Sequence, residues 1–229
     1  KLLVRQCLKE LDLPERQFSV GSVIGTISNA KNQLITPERF SAQADNYYQQ
    51  RVASVYSLYQ QKLLANNAMD FDDLMNVTVR LLEEFPAVLE KYQQRFRYVL
   101  VDEYQDTNHT QYTLTRMLAA KHRNLCVVGD ADQSIYGWRG ADISNILDFE
   151  KDYPEAAVIK LEQNYRSTQA ILDAANALID NNTGRKPKTM WTENPAGDSL
   201  VLHVAGDQHD EGRFIVEEIE RLHLSQRQP

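Results

Sequence analysis

Tyr98-Val99-Leu100-Val101-Asp102-Glu103-Tyr104-Gln105-Asp106-Thr107 is the stretch on which the fold turns. Its first four residues are apolar or β-branched, suited to a buried strand of a parallel sheet. Behind the stretch, Asn108 and Gln111 have the spacing of a capping box. Tyr112, Leu114, Thr115 and Leu118 then carry a helix onward. Two adjacent carboxylates, Asp102 and Glu103, therefore stand where a strand ends and a loop begins. Open α/β sheets bind their ligands at the carboxyl ends of strands. One carboxylate there can hold Mg²⁺, which keeps several waters and touches few protein groups. The next can orient or deprotonate a water that attacks a phosphate. A plainer reading has the Asp-Glu pair open a turn and cap the next helix. Taken alone the dipeptide fits that reading better, and the rest of the chain has to decide.

Downstream, the texture from Phe96 onward predicts strands alternating with helices. Strands are expected at 98–102, 125–129 and 158–161, with helices at 110–121 and 142–153. That alternation is the mark of a parallel sheet with crossover helices. After Ser167, read as a helix cap, a helix should run to Asp180. Leu200–Val204 reads as a strand and Asp210–Leu224 as a helix with Phe214, Ile215, Ile219 and Leu222 on its apolar face.

Upstream, residues 1–85 read as all-helical. Leu3, Val4, Cys7, Leu8 and Leu11 make a helical stripe that ends at Asp12-Leu13-Pro14, and a second helix is expected over Val20–Lys31. Thr36-Pro37-Glu38 is a helix start, with a capping hydroxyl, a proline in the first turn and an acid at the positive end of the dipole. One long helix is expected from there to Asn66, its core stripe being Tyr48, Val52, Val55, Tyr59 and Leu63. Met69-Asp70-Phe71-Asp72-Asp73-Leu74 could hold a metal, but three acids around one Phe read better as the cap of a helix over 74–85.

The 229 residues can bury a real core, and 42% hydrophobic with 25% charged residues is ordinary for a globular chain. A net charge of −7 argues against coating DNA by bulk charge, because phosphate binding needs local Lys and Arg; a basic groove on an acidic body is still allowed. Cys7 and Cys126 fit no metal spacing and read as buried thiols of a reducing compartment. No apolar run approaches a membrane span. These features predict a soluble protein of the cytoplasm, with no membrane partner. The chain opens on a helix with neither initiating Met nor leader, as an internal piece of a longer protein would.

Two further motifs decide the function. The second strand ends in Val127-Val128-Gly129-Asp130-Ala131-Asp132-Gln133-Ser134-Ile135-Tyr136-Gly137-Trp138-Arg139-Gly140. If the two strands pair in parallel, Asp132 and Gln133 share a crevice with Asp102 and Glu103. The Gln133 amide can hydrogen-bond both a phosphate oxygen and a water. Tyr136, Trp138 and Arg139 offer rings and a cation on a Gly-bounded loop, suited to stacking unpaired bases; the alternative buries the rings as core anchors and pairs Arg139 with an acid. In Leu161-Glu162-Gln163-Asn164-Tyr165-Arg166-Ser167, an Arg at a strand end can reach a γ-phosphate across a cleft and Tyr165 can stack on a purine, or both are structural.

Together and in this order, the motifs resemble those of the UvrD/PcrA/Rep group of superfamily 1 DNA helicases. Val101–Thr107 looks like that family's Walker B motif, Val127–Ala141 like its motif III and Leu161–Thr168 like its motif IV. The resemblance extends through Gly25-Thr26-Ile27-Ser28, Asp70–Leu74 and Trp191-Thr192-Glu193-Asn194-Pro195, and is nearest to the PcrA type of Gram-positive bacteria. It implies an α/β fold of the P-loop NTPase type. Residues 1–85 would be a helical insertion subdomain, 86–158 the later part of a first RecA-like domain with its parallel sheet, and 159–229 the beginning of a second. It implies ATP and Mg²⁺ as ligands, single-stranded and duplex DNA as partners, and repair or replication proteins as further partners. Asp102 would hold Mg²⁺, Glu103 activate the attacking water, Gln133 sense the γ-phosphate, Arg166 act as arginine finger and Tyr165 pack on adenine. Tyr136, Trp138 and Arg139 would contact single-stranded DNA.

No Gly is followed by Lys anywhere in the sequence, so the phosphate-cradling loop of this family is expected upstream of Lys1 and its late motifs beyond Pro229. The chain then reads as an internal part of an ATP-dependent 3′-to-5′ DNA helicase, inactive by itself. The alternatives are a non-catalytic DNA- or protein-binding module and part of a helicase–nuclease subunit.

Overall fold

The computed structural model describes residues 1–225, which form two compact units that divide between Val158 and Ile159. The first opens with helices α1 (Leu2–Glu10), α2 (Val20–Asn32), α3 (Pro37–Ala42), α4 (Tyr47–Ala65), α5 (Phe71–Glu84) and α6 (Pro86–Arg95). Strand β1 (Val99–Val101), helix α7 (His109–Ala119) and strand β2 (Leu125–Val127) follow, then two short helices, α8 (Ser144–Leu147) and α9 (Phe149–Asp152).

The apolar stripe of α1 meets those of α2 and α4. Val4, Cys7, Leu8, Val23, Val52 and Val55 are all but sealed from solvent, and Tyr56 and Phe18 close the cluster. Each such side chain contributes roughly 1.5–3 kcal/mol relative to exposure. The expected caps are present. Thr36 accepts from the Arg39 amide, and Asp70 and Asp73 form a reciprocal capping box on α5, as Asn108 and Gln111 do on α7. The single helix expected from Thr36 to Asn66 is two helices. The Asn46 side chain accepts from the Gln49 amide and starts a new helix there, an example of a short polar side chain competing with the helical ladder. Helix α6, not anticipated, begins with Pro86 in its first turn.

Below this cluster Lys31 is buried to 1% exposure and still charged-paired. Its ammonium lies 2.7 Å from both Asp70 Oδ2 and Asp73 Oδ1. Tyr59 donates to Asp70 and Gln60 to Asp73, so α2, α4 and α5 are joined by one polar cluster. Burial pushes the Asp70 carboxyl up, but hydrogen bonds from Lys31, the Asp73 amide and Tyr59 outweigh it and hold the group below the usual aspartate value. Burial likewise drives the Tyr56 and Tyr59 hydroxyls well above the ordinary tyrosine value. The metal alternative for this acidic stretch is answered by Lys31, which occupies the position a cation would take.

Strands β1 and β2 pair in parallel, Val99 opposite Leu125 and Val101 opposite Val127, as the alternation predicted. Hydrogen bonds continue the pairing beyond them, from the Val128 amide to Val101 and from the Tyr104 amide to Val128. The strands are half-buried rather than buried: Leu100 and Cys126 face solvent while Val99, Val101, Leu125 and Val127 are partly covered. Among the described residues the sheet has two strands, and α7 covers one face. Cys126 is therefore an exposed thiol, against expectation, whereas Cys7 is buried. The helix expected over 142–153 is broken at Asp148, and Asp142 instead accepts from the amide and hydroxyl of Ser144.

In the second unit, helix α10 (Gln169–Ile179) and helix α11 (Gln208–Ser225) are present near their expected limits. Thr168, not Ser167, stands at the start of α10, and the Ser167 amide is taken by Asn164. The strands expected at 158–161 and 200–204 do not form. Leu161, Val201, Leu202 and Val204 are more than three-quarters exposed, and an extended segment is a strand only when a neighbour accepts its ladder. One parallel bridge, Gln163 to Trp191, joins the two quoted motifs of this unit. Among the described residues no helix is long and apolar enough to cross a membrane.

Candidate functional site

Parallel pairing sets the ends of β1 and β2 side by side, and both quoted motifs leave the sheet from the same edge. Asp102 and Glu103 are exposed there, with the Glu103 amide donating to Asp102 Oδ1 at 2.9 Å. Glu103 has φ 50° and ψ 43°, a left-handed conformation that L-residues adopt at a cost of about 1–2 kcal/mol. Strain of this kind persists only where the surroundings fix it, and it gathers at functional sites. A 3₁₀ turn over Tyr104–Asp106 follows, in which Tyr104 and Gln105 are buried.

Gln105, outside the site residues expected from the sequence, lies at the centre of this edge. Its Nε2 donates to Glu103 Oε2 at 2.8 Å, and its Oε1 accepts the Asp130 amide at 2.9 Å. Asp130 in turn accepts from Gln133 Nε2 at 2.8 Å through Oδ2 and from the Asp132 amide through Oδ1. Hydrogen bonds thus run from Glu103 through Gln105 and Asp130 to the exposed Gln133. The structure brings Asp102, Glu103 and Gln133 to one edge, as the parallel pairing required.

Past Gln133, which ends a 3₁₀ turn over Ala131–Gln133, the chain makes another, Gly137–Arg139, that ends on Gly140 at φ 89°. Tyr136 is 37% and Trp138 73% exposed, so neither is a core anchor. The Arg139 guanidinium lies over both rings, 5.1 Å from the Tyr136 centroid and 4.6 Å from that of Trp138. Two rings and a cation on an exposed loop are groups of the kind that can stack on unpaired bases.

This loop is anchored from below by the end of α2. Asn32 Nδ2 donates to the Arg139 carbonyl at 3.4 Å, and Asn32 Oδ1 accepts from Asn108 Nδ2 at 2.9 Å. The Thr110 hydroxyl reaches the carbonyls of Lys31 and Asn32 at 3.1 Å each. Asn145 donates to Thr107, and Asp142 gives its amide to the Thr107 carbonyl. Asn32 carries no local signal in the sequence, since it acts on residues far along the chain, and the tie from Gln105 to Asp130 is likewise distant.

Tyr165 and Arg166 belong to the second unit and are exposed there. Asn164 holds their turn by accepting the amides of Arg166 and Ser167 at 2.9 and 2.7 Å, while the Tyr165 hydroxyl donates to Gln163.

Among the described residues no group of three or more His, Cys, Asp or Glu side chains is arranged to hold a metal ion. Asp102 alone still fits Mg²⁺, which beside phosphates takes one or two carboxylates and fills its remaining positions with water and phosphate oxygens.

Residues 1–154 match the family model of the UvrD/REP helicase N-terminal domain, and residues 159–229 that of the UvrD-like helicase C-terminal domain. The chain is similar to the ATP-dependent DNA helicase PcrA of Bacillus subtilis (strain 168), 54% identical over 221 residues. The match covers 96% of this chain and 30% of that protein. The same-named proteins of Staphylococcus aureus (strain Mu50) and Leuconostoc citreum are 54% and 51% identical, over 96% and 97% of this chain and 30% of each relative. The chain therefore spans about 30% of the length of the curated relatives it matches.

Proposed function

The chain belongs to the UvrD/REP helicase family, and on that footing we propose that it is an internal part of an ATP-dependent DNA helicase that couples ATP hydrolysis to 3′-to-5′ movement on single-stranded DNA. The observation that carries the reading is the shared edge of β1 and β2, where Glu103 and Gln133 are linked by hydrogen bonds beside the exposed Asp102. Glu103 orients the attacking water and takes its proton as the water oxygen bonds to the γ-phosphorus and the bond to the bridging oxygen breaks. Asp102 would hold Mg²⁺, which when bound would neutralise charge on the phosphate oxygens. Gln133 hydrogen-bonds the γ-phosphate and reports its loss to the loop that follows. Tyr165 packs on adenine and Arg166 contributes its guanidinium to the transferring phosphoryl group.

Tyr136, Trp138 and Arg139 contact unpaired bases. Being contiguous with Gln133, they receive the nucleotide state directly through the backbone. In this reading residues 1–85 are a helical insertion, 86–158 the later part of a first RecA-like domain and 159–229 the beginning of a second. The full protein is a cytoplasmic one that acts on single-stranded and duplex DNA in repair or replication, with proteins of those processes as partners. The 229 residues alone are inactive, because the phosphate-cradling loop that supplies most phosphate contacts lies outside them.

The test is ATP hydrolysis by the 229-residue chain and by the full-length helicase, each with and without single-stranded DNA and each beside Glu103→Gln. DNA-stimulated turnover in the full-length protein alone, abolished by the substitution, is expected. Turnover by the 229 residues that vanishes in Glu103→Gln would overturn their inactivity, and a full-length Glu103→Gln enzyme that still turns over would overturn the site.

A further inference from the structure

We infer that the buried Gln105 is a positioning residue that mechanically joins the water-activating Glu103 to the γ-phosphate sensor Gln133; the inference rests on the roles proposed for those two residues. Gln105 is 1% exposed, and a buried amide is tolerated only when both its ends are satisfied. Its NH₂ faces the Glu103 carboxylate and its carbonyl oxygen faces the Asp130 amide. An amide alone meets both demands, since a carboxylate cannot donate to Glu103 and an ammonium cannot accept from Asp130. The Gln105 backbone is used as well, its carbonyl lying 3.4 Å from the Ser134 hydroxyl.

The opposite strand is shaped to this side chain. A Cβ on Gly129 would stand 2.6 Å from Gln105 Oε1, 2.9 Å from Ile146 Cδ1 and 3.0 Å from the Tyr104 amide nitrogen. Glycine here leaves the space that the Gln105 amide fills. From Asp130 the linkage reaches Gln133 through one further hydrogen bond of 2.8 Å. Each link is short, and the residue at the centre, Gln105, is itself buried, where a hydrogen bond is electrostatically stronger than in water. A shift of Gln133 on binding or losing a γ-phosphate is passed through Asp130 and Gln105 to the carboxylate that activates water. Glu103, held in a left-handed backbone, is a residue whose placement depends on such support.

The experiment uses Gln105→Glu and Gln105→Met in the full-length helicase, together with Gln133→Ala, the Gln105→Glu/Gln133→Ala double variant and Glu103→Gln. Gln105→Glu keeps the shape and the acceptor for Asp130 but loses the donor to Glu103. Gln105→Met keeps the length and loses both. Rates are normalised to the fraction of protein that binds a fluorescent ATP analogue. Both variants should lower kcat for DNA-stimulated hydrolysis about 10- to 100-fold, as the loss of one hydrogen bond to a charged group implies, with KM for ATP within about twofold. The double variant should cost no more than the costlier of its two single changes, because both act through one linkage. Wild-type kcat in both Gln105 variants, additive losses, or a fall in kcat matched by a fall in binding-competent protein would each overturn the positioning role. Turnover retained in Glu103→Gln would instead overturn the site reading beneath it.

Discussion

Replacing Lys31 with Met removes the cation from a cluster that is already sealed. The side chain is 1% exposed, and its partners Asp70 and Asp73 are 24% and 4% exposed. Met fills much of the same volume, so the loss is electrostatic rather than a cavity. Breaking a buried pair by removing one partner costs about 3–5 kcal/mol, against a total domain stability of about 5–15 kcal/mol. The sign with pH is also fixed. Asp70 lies below its ordinary value, so its contribution is present above about pH 4 and lost as pH falls through its folded value. Taking away Lys31 removes the strongest of the bonds that oppose burial, and the variant has less to lose in acid. Asp72 alongside is pushed up by burial and works in the opposite sense in both proteins. Urea unfolding of the 229-residue chain, followed by helical ellipticity, should show a gap near 3–5 kcal/mol at pH 7 that narrows below pH 4. Adding Asp73→Asn should return at least about 1 kcal/mol by relieving the two facing carboxylates. A gap under about 1 kcal/mol at pH 7, or one that does not change with pH, would refute the claim that the cluster is bound by charge.

Trp138→Ala in the full-length protein should weaken single-stranded DNA binding by about 1–3 kcal/mol for the base it stacks, read by fluorescence anisotropy. Because Trp138 is 73% exposed, the same change should alter unfolding free energy by no more than about 0.5 kcal/mol. Gly140→Ala forces a side chain onto φ 89° and sets its Cβ 2.8 Å from Asn32 Nδ2. It should cost about 1–2 kcal/mol of stability in urea unfolding and weaken DNA binding, while Gly137→Ala, with open space around its Cβ, should do neither. A thiol reagent should label Cys126 at once and Cys7 only on unfolding, since Cys7 is enclosed and burial pushes its thiol up, away from the reactive thiolate.

What could be read from the sequence was what is decided locally. The caps at Thr36, Asp70 and Asn108 depend on residues three positions away, and each formed as its spacing required. The β1–α7–β2 alternation was equally legible, because a strand that meets its neighbour through one crossover helix leaves a periodic trace. The segments at 158–161 and 200–204 have strand composition but lack a hydrogen-bonded neighbour, and composition does not report that. Asn46 sits inside a continuous helical pattern, and its capping bond to the Gln49 amide competes with a ladder that the pattern alone does not interrupt. In the site, the residue types at Asp102, Glu103, Gln133 and Trp138 announced themselves through their chemistry. Gln105 and Asn32 did not, since the partners that give them their place, Asp130 and the Arg139 carbonyl, lie 25 and 107 positions away.

Those separations have a kinetic meaning. At the end of α2, Thr110 bonds to carbonyls 78 and 79 positions away, and Asn32 bonds to a carbonyl 107 positions away. Loop closure grows costlier only slowly with length, so contacts of this span burden the folding rate more than the final stability. The helix cluster of α1, α2 and α4 can gather from nearer contacts, whereas the loop after β2 is fixed by contacts that reach back to Gln105, to Thr107 and, farthest, to Asn32. Order in the loop that holds Tyr136, Trp138 and Arg139 therefore depends in part on contacts of long sequence separation, whereas the helical core gathers from nearer ones.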